Sequence, residues 1–195
     1  MENEEAYAAW NRHKPNTEFA VRQLADLLGA TDESAEAIFS AYLFAKKDLA
    51  RSMQELLRAT LPPSRPAFEE LRSRVSESLQ ERFGQQIPAK YLAVPYDSVA
   101  CQDLFGILRE NLGKPVDTAV LRAINTDDVH TERRIRELRE LGLRIDSVKN
   151  NGVGGYRLSS LKLDHTQLPK FVTKAIKNSS LPEEEKNNLI STPAA

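Results

Sequence analysis

The hydrophobic period of this chain changes near residue 142, and that change limits its fold more than any other feature. Before it, Ile135, Leu138 and Leu141 recur every three positions and the pattern stops at Gly142, which predicts an amphipathic helix over residues 131–141. After it, Leu143, Ile145 and Val148 lead into Asn150-Asn151-Gly152-Val153-Gly154-Gly155, and Tyr156 and Leu158 follow. Apolar residues on either side of an Asn- and Gly-rich run predict a β-hairpin with a flexible tip. A short helix running straight into a hairpin cannot bury both apolar faces alone, so further helices have to close the core.

Those helices are legible upstream. A short one is expected over 117–124, followed by a turn at 125–128 in which Asp127 and Asp128 suit a helix N-cap. Cys101, Leu104, Phe105, Leu108 and Leu112 share one face of a helix over 98–111, with Cys101 read as a small buried apolar residue. Phe68, Leu71, Val75, Leu79 and Phe83 make one long helix that ends at Gly84, and the aperiodic stretch 85–97, with Pro88 and Pro95, reads as an ordered loop or linker. Before the break at Pro62-Pro63, three apolar faces predict a three-helix unit: one through Phe19 to Leu28, one through Ala35 to Leu43, and one through Leu49 to Leu57 with Asp48 as its N-cap. Residues 1–16 read as a helix or arm ending at Pro15. Phe171, Val172, Ala175 and Ile176 suggest one more short helix. The expected class is mainly α: a helical bundle over residues 1–61, a long helix and linker over 62–97, a domain with a hairpin over 98–178, and a flexible tail over 179–195.

Three helices followed by a two-stranded hairpin, the second and third joined by a short turn, is the element order of a winged helix-turn-helix. Residues 112–160 also resemble the winged-helix DNA-binding modules attached to bacterial HNH and restriction-type endonucleases and to regulators, in which a run like RRIRELRELG followed by a GYRL strand recurs. The resemblance implies double-stranded DNA as partner and a hairpin wing beside the last helix. Residues 17–61 resemble a ubiquitin-associated-type three-helix bundle, with AKKDLARSMQELL at its third helix. A homodimer or a protein partner is accordingly assigned to residues 17–83.

Charge agrees with that division. The net charge is −1, yet residues 113–178 carry 13 Lys+Arg against 8 Asp+Glu, and residues 1–112 carry 13 against 17. One basic segment in an otherwise acidic chain is what a module meeting a polyanion requires. On the helix 131–141 the apolar spacing turns Arg133, Arg134, Arg136 and Arg139 toward solvent, and the first turn, with His130 and Thr131, would reach base edges in a major groove. On the hairpin, Lys149, Asn150, Asn151 and Arg157 would contact phosphates. The competing reading is a salt-bridged solvent face, because Glu132, Glu137 and Glu140 alternate with these arginines, and some of the arginines would brace the wing.

Catalytic chemistry finds little support. His13, His130 and His165 lack ligand spacing, Cys101 is the single cysteine, and Gly113-Lys114 is followed by Pro115 where a phosphate loop needs Ser or Thr, so neither a metal nor a cofactor is expected. The longest uncharged apolar run is far short of a membrane span, and the acidic start is unlike a signal peptide, giving a cytoplasmic or nucleoid-associated location. Two readings follow. One is a non-enzymatic DNA-binding regulator or accessory subunit in transcription, restriction or phage biology. The other is an adaptor or assembly protein whose winged helix and bundle bind other proteins.

Overall fold

The computed structural model describes residues 2–126 and 130–191. Its elements run α1 (Glu2–Gly29), α2 (Ala35–Thr60), α3 (Ser64–Phe83), α4 (Val99–Glu110), β1 (Val116–Asp117), α5 (Thr118–Ala123), α6 (Thr131–Glu140), β2 (Arg144–Asn150), β3 (Val153–Ser160), α7 (Leu168–Lys177) and α8 (Glu183–Ser191). The chain is mainly helical, with a small three-stranded antiparallel sheet in its C-terminal half. Among the described residues no helix is long and apolar enough to cross a membrane. Two compact units are formed, Met1–Pro63 with Thr118–Thr131, and Ser64–Asp117 with Glu132–Ala195.

The first unit is an antiparallel helical hairpin carrying α5. The expected three helices are two, because α2 is continuous where the second and third were placed. Ser34 caps it, its hydroxyl accepting from the Ala37 amide at 3.1 Å, while Asp48, expected to start a helix, sits half-buried in mid-helix. Nothing between Ala35 and Thr60 breaks a helix, since neither glycine nor proline occurs there, and an aspartate between two apolar runs is not enough to start a new one. Ala41, Ala45 and Ser52 of α2 and Thr17 and Ala20 of α1 are buried where the two helices pack, small residues that let them approach closely enough for the Thr17 hydroxyl to donate to the Asp48 carbonyl at 3.5 Å. The expected stop at Pro15 is also absent, since α1 continues through it. Proline forfeits its bond to the Asn11 carbonyl and crowds it, but Asn11 and Pro15 are both exposed, and packing against α2 holds the helix together.

In the second unit α3 buries Phe68, Leu71, Val75, Leu79 and Phe83 and packs on α4, with the Phe68 and Phe105 rings 5.7 Å apart. The loop 85–98 is ordered around buried Ile87, Tyr91 and Leu92, and the Arg72 guanidinium donates to the carbonyls of Val94, at 2.8 Å, and Pro95. The sheet order is β1-β3-β2. Strand β1, which no sequence pattern announced, pairs Val116 with Tyr156 and Asp117 with Gly155. A Cβ at Gly155 would lie 2.4 Å from the Val116 carbonyl oxygen, so only glycine admits this third strand. The β2–β3 hairpin is longer and its tip tighter than expected: Asn150 pairs with Val153, and Asn151 and Gly152, at φ 49° and 83°, make a two-residue turn. The expected tail contains α8, which starts after Pro182 with three glutamates in its first turn, the charge a helix N-terminus favours. The cap expected of Asp127 and Asp128 lies outside the described residues.

Candidate nucleic-acid interface

Helix α6 sorts its arginines into two kinds. Ile135 and Leu138 are fully buried, and Glu137, which the sequence placed on a solvated face, is buried beside them. Arg133 Nε donates to Glu137 Oε1 at 3.2 Å, Arg134 Nη1 donates to both carboxylate oxygens at 2.9 and 2.7 Å, and the Cys101 thiol of α4 donates to Oε2 at 3.4 Å. Burial alone would raise the Glu137 carboxyl, but the bond from Arg134, with those from Cys101 and Arg133, holds it below the usual carboxylate range. The thiol goes the other way: burial, with Glu137 beside it, pushes Cys101 up to about 11. Arg134 is therefore the partner of a buried carboxylate rather than a group presented to a ligand.

Arg139 is committed as well. Its Nε donates to the Ile145 carbonyl at 2.7 Å, its Nη2 to Ser147 Oγ at 3.2 Å, and its guanidinium lies 5.6 Å from the centre of the Tyr156 ring. One side chain thus ties α6 to both strands of the hairpin. At the end of α6, Glu140 accepts from Lys174 of α7 at 2.9 Å and from the Tyr96 hydroxyl, and Lys174 also donates to Tyr96 at 3.0 Å. Burial and the bond to Glu140 raise the phenol, and the bonds to Tyr96 and Glu140 raise the ammonium. These contacts fix the C-terminal half of the helix.

Two arginines remain on the outer face of α6. Arg133 is 64% exposed even while paired with Glu137, and Arg136, three residues on and adjacent on the helix surface, is exposed with no ion pair among the described residues. Thr131 does not belong with them, because it is fully buried at the first position of α6. His130 is exposed just ahead of that helix.

The pleat separates the hairpin residues. Ser147 and Tyr156 are cross-strand partners on the face that Arg139 meets, and Lys149, two residues beyond Ser147, lies on that same face and is exposed. Arg157 is on the opposite face, cross-strand from Asp146 and 3.7 Å from its carboxylate. Asn151 is exposed at the turn, and the side chain of Asn150 lies outside what the structure describes. Sequence reasoning missed the anchors Glu137, Tyr96 and Lys174. It also missed Lys170 and Lys177, which with Lys174 line a shallow groove of about 440 Å3 on α7; their spacing of four and three was the available signal.

A family model described as the KpnI N-terminal domain matches residues 104–169, about a third of the chain. The match takes in most of α4, the whole sheet, α5 and α6, and its description relates this stretch to restriction enzymes. No curated protein and no solved structure matches the chain.

Proposed function

We propose that residues 99–160 form a winged helix-turn-helix and that the protein acts by binding double-stranded DNA, without catalysis of its own, in a restriction-related setting. The observation that carries the reading is the sorting of cations on α6 and the hairpin: Arg134 and Arg139 secure the scaffold, and Arg133, Arg136 and Lys149 stay exposed on it. The element order supports it, since helix, strand, helix, helix and a hairpin whose second strand lies between the other two is the winged-helix order. So does the likeness of residues 104–169 to the KpnI N-terminal domain. In this reading the outer face of α6 enters the major groove with Arg133 and Arg136 toward base edges, where a guanidinium can donate two hydrogen bonds to a guanine. Lys149 and Asn151 meet the adjacent backbone, which sets affinity more than sequence choice.

The test is affinity for duplex DNA as a function of salt. The logarithm of affinity is expected to fall linearly with the logarithm of salt concentration, and Lys149→Ala to make that slope shallower by about one unit for its lost phosphate contact. Arg136→Ala should lose on the order of 1–3 kcal/mol at a preferred site and less on random sequence. Arg157→Ala should leave the slope unchanged. Folded protein that ignores duplex DNA at low salt would overturn this reading in favour of an adaptor, which the apolar residues exposed on the first unit support.

A further inference from the structure

Helix α2 buries one seam and leaves a second open. The seam packed toward α1 runs through Ile38, Ala41, Ala45, Asp48 and Ser52. Each of these is followed by a member of the second set, Phe39, Tyr42, Lys46, Leu49 and Met53, so the second seam has the same three-and-four spacing and lies about 100° round the helix. Phe39 is 60% exposed, and Tyr42, Leu49 and Met53 are about two-fifths exposed. Between this stripe and Leu24 of α1 runs an apolar groove of about 300 Å3 that Ala123 of α5 also lines at the Met53 end, and Leu28, one turn beyond Leu24, is 64% exposed.

We propose that this stripe is a self-association surface on which α2 of a second copy packs lengthwise. Taking ordinary side-chain areas, Phe39, Tyr42, Leu43, Leu49, Met53 and Leu28 leave on the order of 550 Å2 of apolar surface in water, close to the apolar share of the roughly 800 Å2 that a standard interface buries per partner. A patch of that size lies at the upper end of the roughly 300–600 Å2 that the largest apolar patch on a monomer covers, and such patches often mark contact sites. Its period is that of a coiled-coil seam, and the surface that fits such a seam along its whole length is another helix of the same repeat, which a second copy supplies. In antiparallel pairing about Lys46, Phe39 of one copy faces Met53 of the other, Leu43 faces Leu49 and Tyr42 faces Ala50, so the surface is self-complementary as a two-fold contact requires. The Lys46 stems lie along the seam and their ammonium groups reach its edge. DNA is a poor occupant, because the stripe is apolar and its unit carries 8 Lys+Arg against 12 Asp+Glu.

Sedimentation of the full chain from roughly 1 to 100 μM tests this. The expected species has twice the 21.9 kDa of one chain. Tyr42→Glu combined with Met53→Glu should give a monomer with unchanged helical circular dichroism. Phe44→Glu, about 200° round α2 from Tyr42, should remain dimeric. Should the double variant misfold, the Phe39→Cys/Met53→Cys protein decides the matter: under mild oxidation it should form a disulfide-linked dimer, which the wild type, whose one cysteine is buried, should not. A wild-type monomer throughout the range, equal dissociation by Phe44→Glu, or no cross-linking would overturn the proposal.

Discussion

Glu137 holds more of this molecule's logic than any other side chain. It is a carboxylate buried between α4 and α6, and it is tolerable there because Arg134 donates to both of its oxygens and the Cys101 thiol donates to one. Glu137→Gln keeps the shape and removes the charge, so it should cost about 1.5–3 kcal/mol at neutral pH, the range for a hydrogen bond to a charged group. The pH dependence has a definite sign. Because the folded protein holds the Glu137 carboxyl below its ordinary value near 4.5, its contribution is complete above that value and is lost as pH falls through the depressed one. Urea titrations should therefore find wild type and variant converging in acid. Cys101 behaves in the opposite sense. Its thiol, ordinarily near 9, is pushed up to about 11, so stability is fully present below 9 and lost as pH rises toward 11. Cys101→Ala should remove that alkaline loss, on the order of 2 kcal/mol, and a variant as alkali-sensitive as wild type would refute the assignment.

At the scale of elements, α1 gives the sharpest test, because it runs through a proline. If Pro15 lies inside a helix, Pro15→Ala restores the bond to the Asn11 carbonyl and should raise stability by about 1–3 kcal/mol in urea unfolding; a helix that ended there would gain little. The proline was readable and its consequence was not, because packing along α2 overrides what a local rule predicts. Helices α3, α4 and α6 were legible, since each carries an apolar stripe at helical spacing and stops near a glycine or asparagine, although α4 is buried nearly all round and not on that stripe alone. Helix α2 reads as two helices because Asp48, a residue suited to an N-cap, stands between two apolar runs, and because the small residues Ala41, Ala45 and Ser52 that it buries carry little hydrophobic signal. Strand β1 was illegible, as two residues carry no period, and only Gly155, small enough to admit the Val116 carbonyl, hinted at it. On α6 the arginines were recognised as a group, but periodicity does not say which of them meets an internal carboxylate. That distinction comes from α4, thirty residues earlier, which brings Cys101 and buried surface against Glu137.

For the whole molecule, the order of the chain and the grouping of its elements disagree, and this decides where it can be cut. The chain passes between its two units after Pro63, after Asp117 and after Thr131, so no contiguous segment coincides with either. A fragment of residues 98–178 contains every element of the proposed winged helix yet lacks α3, which covers α4. Removing α3 strips Phe105 of its neighbour Phe68, and each large apolar side chain returned to water forfeits about 1.5–3 kcal/mol. Two or three such losses reach the lower end of the roughly 5–15 kcal/mol that hold a domain together. The fragment 98–178 should accordingly unfold without a cooperative thermal transition, whereas a fragment of residues 64–195 should keep one. The longer fragment also sheds acidic residues 1–63, so its non-specific DNA affinity at a given salt should equal or exceed that of the full chain. It lacks the open seam of α2, so it should sediment as a monomer and lose any affinity that depends on engaging two half-sites at once. Melting, sedimentation and DNA titration of both fragments separate these effects: equal melting of the two would mean that α3 contributes nothing to the unit that carries α6.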